Sequence, residues 1–178
     1  THCYFDMRGN QLNLTVCCRS IDALWGAYGA NAVHFSLLHE FMATWIGCDM
    51  GVYRQFSVNL HVYPDMEGYP TADPVNVGMD DRYARGLVEP YPLIQGKGLR
   101  AIQSFEVDLQ TFLDSPREPR VYEQPFFNDV AVPMHQSWTR RRSGDGTGLE
   151  EAQQIKASDW RVACVEWIQR REETKHGN

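Results

Sequence analysis

The 178-residue chain has no apolar run of about eighteen residues, the minimum for a helix that spans a membrane. Residues 1–8 show neither the basic start nor the apolar stretch of a secretory signal. Positive charge is also scarce. Seventeen Lys and Arg stand against 23 Asp and Glu, a formal net charge of -6, which argues against non-specific attraction to nucleic acid or to an anionic membrane. Any phosphate it binds must be held by a local site. The five cysteines (Cys3, Cys17, Cys18, Cys48 and Cys164) are odd in number and show no CxxC or His/Cys spacing, so neither a disulfide framework nor a metal site is expected. There is no internal repeat and no low-complexity tract. These absences leave the expectation of a soluble cytoplasmic protein with reduced thiols and with no membrane or nucleic-acid partner.

What is present suffices for a core: 43% of residues are hydrophobic and 12% aromatic, and the length suits a single domain over 1–178. Alternation at 3–7 and 12–19, with Gly9-Asn10 between, predicts an antiparallel hairpin. In the second strand Leu14, Val16 and Cys18 share one face, while Asn13, Thr15, Cys17 and Arg19 share the other. Leu38, Phe41, Met42 and Trp45 recur at helical spacing and Gly47 follows, which predicts a helix over 32–46. A strand over 52–63 sets Val52, Phe56, Val58, Leu60 and Val62 against Tyr53, Gln55, Ser57, Asn59, His61 and Tyr63. Residues 64–98 read as a long Pro- and Gly-rich loop with one helical turn near 80–85. A further strand is predicted at 101–109 and helices at 136–142, 149–156 and 158–173, with the Arg140-Arg141-Arg142 run ending a solvated helix.

Several residues can carry chemistry. Arg19-Ser20-Ile21-Asp22 ends a strand ahead of a glycine-containing loop, and a guanidinium fork with a hydroxyl can hold a phosphate. Taken alone, the same four residues are better explained by Arg19 paired with Asp22 across a turn. Asn31 stands where a helix N-cap is favoured, and its carboxamide can also pair with the N3–H and O4 edge of uracil. His61 and Tyr63, two apart on one strand face, can both reach one ribose hydroxyl, or can form a satisfied polar face.

The ordered set Arg19-Ser20-x-Asp22, Gly26, Asn31 leading a helix with Phe35, Leu37 and Leu38, then His61-x-Tyr63, resembles the nucleotide-binding half of thymidylate synthase and its pyrimidine hydroxymethylase relatives. The wording from Trp25 to Phe35 looks most like the thymidylate-synthase-like proteins of phages. The resemblance implies an α+β fold with a mostly antiparallel curved sheet packed by helices, of which this chain would be the C-terminal part, with added helices at about 134–173. It implies that Arg19 and Ser20 hold the 5′-phosphate, that Asp22 orders the base and its water, that Asn31 reads uracil, and that His61 and Tyr63 contact the ribose 3′-hydroxyl. Asp22 and Asn31 would then serve catalysis as well as binding.

Departures from the family pattern are specific. One residue more separates Gly26 from Asn31 and the usual proline is absent, so Ala30 competes with Asn31; Phe35, Leu37 and Leu38 fall into register with Asn31. Val58-Asn59 replaces the usual Gly-Asp, and the short tail that closes over folate is not recognisable. The nucleophilic cysteine, whose thiolate adds to carbon 6 of the pyrimidine, would by alignment lie about two residues before Thr1. Cys3 is the fallback, Cys17 a weaker one, and Cys18, Cys48 and Cys164 read as buried small hydrophobes.

By resemblance the activity is one-carbon transfer, methyl or hydroxymethyl, from 5,10-methylenetetrahydrofolate to carbon 5 of a pyrimidine nucleoside monophosphate, dUMP first. The partners implied are a second copy in a homodimer and, if the gene is split, a companion chain carrying the upstream half. The competing expectation is a catalytically inactive nucleotide-binding or assembly protein of the same fold.

Overall fold

The computed structural model describes residues 1–63, 81–116 and 120–176, the last four of these by backbone only. The chain divides into two compact units, one of residues 1–80 with 96–99 and one of residues 81–95 with 100–178. The fold is α+β, as expected.

In the first unit, β1 (His2–Arg8) and β2 (Gln11–Asp22) form the expected hairpin. Gly9, at φ +60°, opens its two-residue turn, as the first position of a II′ turn requires. A π-helical stretch, Ala23–Ala30, leads into α1 (Asn31–Ile46), which Gly47 ends in the left-handed conformation at φ +85°. The strand β3 (Asp49–His61) then pairs parallel with β2, giving the order β1-β2-β3. This corrects the expectation of a mostly antiparallel sheet. One of its two pairings is parallel because α1 carries the chain back to the end of β2 where that strand began, the crossover that parallel strands require.

The parallel pair contains a bulge. Leu12 faces Met50 but Leu14 faces Tyr53, so β3 holds one residue more than β2 opposite Asn13. Asn13 is buried; its carbonyl oxygen accepts from the Val52 amide at 2.8 Å and its amide donates to Asp6 at 3.3 Å. The buried His39 of α1 donates through Nε2 to the Leu12 carbonyl at 2.5 Å. Gly51 belongs to this arrangement, since a Cβ there would lie 2.3 Å from Asn13 Oδ1 and 2.9 Å from the Leu12 carbonyl oxygen.

Leu14, Val16, Cys18 and Ile21 form the core of this unit, with Ala27, Phe35 and Tyr53 against them. The inward side of α1 is His39, Ala43 and Thr44 with Phe35 and Met42. The predicted stripe is therefore rotated, and Leu38 and Trp45 are exposed. On β3 the structure turns Tyr53, Gln55 and Ser57 inward and leaves Val52, Phe56, Val58, Leu60 and Val62 exposed, Val58 to 91%.

In the second unit, residues 101–109 are helical rather than the predicted strand; they lie in α2 (Leu99–Asp114). Phe105, Val107 and Leu109 alternate, yet the buried residues Ala101, Ile102, Phe105 and Asp108 follow the helical period, and Val107 is exposed. A turn at Asp81, whose carboxylate accepts from the Ala84 amide, matches the helical turn expected near 80–85, while 64–80 of the predicted loop lie outside the described residues. The helices α3 (Val132–Ser143), α4 (Leu149–Gln153) and α5 (Ser158–His176) match those expected. Their core is Val130, Ile155 and Ala157, with Trp160 and Cys164 against it. Arg140, Arg141 and Arg142 end α3 but are not simply solvated: Arg140 pairs with Glu151, Arg141 pairs with Glu172 at 2.6 Å and lies over Trp167, and Arg142 lies over Trp138. Among the described residues no helix is long and apolar enough to cross a membrane.

Substituting Gly51→Ala should cost about 1–3 kcal/mol, because the new methyl meets backbone as well as side chain. Urea denaturation of the two proteins measures this, and an unchanged midpoint would contradict the close packing of the bulge.

Candidate nucleotide site at the ends of the parallel strands

Alternation along β2 places Leu14, Val16 and Cys18 inward, and then breaks: Arg19 and Ser20 are both exposed before the chain buries Ile21. Two adjacent polar side chains thus leave the strand end for solvent. Arg19 makes no hydrogen bond or ion pair among the described residues, and the pairing with Asp22 that would explain it structurally does not form. Asp22 instead caps the π-helical stretch, its Oδ1 accepting from the Trp25 amide at 2.5 Å.

Parallel pairing sets Ser20 beside Asn59 and Asp22 beside His61. Four side chains form a continuous series. Asn59 Nδ2 donates to Ser20 Oγ at 3.3 Å, Ser20 Oγ meets His61 Nδ1 at 3.2 Å, and His61 Nε2 meets the Tyr63 hydroxyl at 3.2 Å. The His61 and Tyr63 rings stand edge to face with centroids 5.0 Å apart. The structure therefore brings together Ser20, His61 and Tyr63, and adds Asn59. The sequence places Asn59 on the His61 and Tyr63 strand face and marks it as a departure from the family pattern, but does not single it out as a site residue.

Asn31 opens α1 with helical φ and ψ, and its N–H donates to the Gly26 carbonyl. The cap role falls to Asp22, so the Asn31 carboxamide is not spent on it, and it forms no other hydrogen bond among the described residues. The residue gained between Gly26 and Asn31 is absorbed by the wider π turn, with Gly29 departing from helical geometry at φ -115° and ψ -122°. A Cβ at Gly29 would lie 2.5 Å from the Leu24 carbonyl oxygen, and one at Gly26 would meet Ile21 at 2.5 Å and the Asn31 amide nitrogen at 3.6 Å. Glycine at both positions lets the turn close over the end of β2.

Arg19, Ser20, Asp22, Asn31, His61 and Tyr63 all lie at the carboxyl ends of the parallel strands, at the head of the helix that joins them, or just beyond. Crevices outside such strand ends are where open α/β arrangements bind ligands. Cys3 is not brought to this set: it faces Val16, four residues short of Ser20, or about 13 Å along a strand. Cys18 and Cys48 are buried, as expected, Cys17 is half-buried, and burial pushes the half-buried Cys164 thiol up. A separate cavity of about 370 Å³ in the second unit, lined by Met134, Trp138, Trp160, Cys164 and Trp167 among others, contains none of Arg19, Ser20, Asp22, Asn31, His61 and Tyr63.

The division of labour between Asp22 and Asn31 is testable. Asp22→Ala should cost about 1 kcal/mol through loss of the cap, whereas Asn31→Ala should cost only a few tenths. Equal losses in thermal unfolding would return the cap to Asn31.

A deoxyuridylate hydroxymethyltransferase of Pseudomonas phage M6 is 40% identical to this chain in an alignment 173 positions long that covers 90% of the chain and 48% of that protein. A protein of the same name from Bacillus phage SP01 is 47% identical over 64 residues, 36% of the chain and 17% of the relative. The chain thus spans about half the length of the first curated relative, and a smaller share of the second. No family model and no solved structure matches. Similarity over nine-tenths of the chain to a phage protein of that name supports the thymidylate-synthase-like phage family to which its motifs point.

Proposed function

We propose that this chain is the nucleotide-holding part of a deoxyuridylate hydroxymethyltransferase with a thymidylate-synthase-like fold, acting on dUMP. The observation that carries this reading is the contact of Ser20 with His61 and of His61 with Tyr63 at the carboxyl ends of β2 and β3, with Asp22 in register beside His61 and Arg19 and Asn31 close by along the chain. The name of the relatives favours hydroxymethyl over methyl as the group left on carbon 5.

Ser20, from the series with His61, and Arg19, from the neighbouring strand position, would take the 5′-phosphate; both are exposed and Arg19 has no competing partner among the described residues. His61 and Tyr63 would take the ribose hydroxyl. Asn31 would read the uracil edge with its unspent carboxamide, and Asp22 would order the base and its water. The one-carbon unit is supplied by 5,10-methylenetetrahydrofolate when it is bound. The exposed rings of Trp25 and Tyr28, on the π-helical stretch that Asp22 caps, suit a flat aromatic co-substrate of that kind. The thiolate nucleophile would come from upstream, because each step back along β1 from the His2–Cys17 pair is a step along β2 towards Ser20.

A homodimer is part of this proposal. Val52, Phe56, Val58, Leu60 and Val62 present an apolar strand face to solvent, broken by one charge at Arg54. A surface so poor in charge is matched by the same surface on a second copy.

In the full-length protein, Arg19→Ala should weaken dUMP binding by about 2 kcal/mol through loss of charge-assisted hydrogen bonds, and unchanged affinity by calorimetry would remove Arg19 from the phosphate site. Asn31→Asp should shift preference from dUMP towards dCMP, since it alters the donor and acceptor order at the base edge; an unchanged ratio of kcat/KM values would point to Ala30. Val58→Glu should give monomers in sedimentation, and a persisting dimer would place the interface elsewhere. Product mass after reaction with dUMP and methylenetetrahydrofolate separates hydroxymethyl from methyl.

A further inference from the structure

We infer that Asn59 is a positioning residue whose amide holds Ser20 Oγ in a hydrogen-bond relay between the phosphate and sugar ends of the site, and that phosphate at Ser20 reverses the tautomer of His61. The inference rests on the proposed nucleotide function for its ligand, but the relay itself is a property of the free protein.

The relay begins at the one group whose role is fixed. Asn59 Nδ2 can only donate, so Ser20 Oγ accepts from it at 3.3 Å. In the inferred free state the Ser20 hydroxyl hydrogen points at His61 Nδ1, 3.2 Å away, which accepts. A neutral ring whose Nδ1 accepts carries its proton on Nε2, and Nε2–H donates to the Tyr63 oxygen at 3.2 Å. The Tyr63 phenol hydrogen is left to point at the ligand.

A phosphate is acceptor-only and draws the Ser20 hydroxyl hydrogen to itself. Ser20 Oγ keeps the bond from Asn59 and turns a lone pair to His61, so Nδ1 must now donate. The ring proton is exchanged through water from Nε2 to Nδ1, and the ring stays neutral. Nε2 then accepts from the Tyr63 phenol, whose oxygen presents a lone pair in place of a hydrogen. The sugar end thereby changes from donor to acceptor, the form that receives a ribose hydroxyl hydrogen, only when the phosphate end is filled. Arg19 and Asp22 are the charged groups of β2 nearest this series, and Asp22 is committed to the Trp25 amide. The parallel register keeps all four members within reach, with Ser20 beside Asn59 and Asp22 beside His61.

The test is ¹⁵N NMR of the histidine rings in the full-length protein, free and with dUMP, deoxyuridine or inorganic phosphate. His61 should carry its proton on Nε2 when free and with deoxyuridine, and on Nδ1 with dUMP or phosphate. In Asn59→Asp the carboxylate accepts the Ser20 hydrogen, so the Nδ1–H form should already be present without ligand and dUMP should change nothing further. That variant should raise KM for dUMP by about tenfold with kcat within about twofold, and Asn59→Ala should raise it less. A His61 tautomer that is the same in free wild type and free Asn59→Asp, or that ignores dUMP while dUMP is measurably bound, would overturn the inference. A protein that binds no pyrimidine nucleotide would refute the functional reading, while the comparison of free wild type with free Asn59→Asp would still decide the relay.

Discussion

Where β3 carries one residue more than β2, opposite Asn13, the pairing of everything downstream is decided. Side chains alternate along a strand, so a slip of one residue would turn Asn59, His61 and Tyr63 to the other face of the sheet. The bulge prevents that slip because its backbone groups have fixed partners. Asn13 accepts the Val52 amide, His39 donates to the Leu12 carbonyl, and Gly51 leaves room for both strands to approach. The polar series from Asn59 to Tyr63 lies at the far end of the same strand. Its alignment with Ser20 is inherited from a hydrogen-bonded irregularity near the start of that strand.

The same register explains the inverted character of β3. Its polar residues face the side occupied by α1 and the core, while Phe56, Val58 and Leu60 face solvent. A lone chain gains nothing from such an arrangement, since burying apolar area is the main drive of folding. It becomes favourable when the apolar face is covered by another surface. In the proposed dimer the polar face would be left as the wall of the nucleotide site, so that one strand would serve both.

Elements with strong local signals were legible in the sequence: the hairpin at Gly9-Asn10, the helix stopped by Gly47, and the alternation of β3 all appear where the residues place them. Alternation identified the two faces of β3 but could not say which one is buried, because that depends on the direction of its neighbour. Residues 101–109 were misread because Phe105, Val107 and Leu109 alternate over a short span, while the helical period of Ile102, Phe105 and Asp108 includes a buried carboxylate. Asp108 is satisfied by the Gln124 amide at 2.6 Å, a partner distant in sequence. The candidate site residues stand out in the sequence as types and spacing. The Ser20–His61 contact was not, since it joins residues 41 apart and exists only through parallel pairing.

The central claim is that the carboxyl ends of β2 and β3 hold a pyrimidine nucleotide by its phosphate and sugar. Titrating dUMP into the isotopically labelled full-length protein tests this most directly. The account predicts saturable shifts in the signals of Arg19, Ser20, Asn31, His61 and Tyr63, with the helical unit unmoved. Shifts confined to the tryptophan-lined cavity around Trp138 and Trp167, or no saturable shift at all, would contradict it.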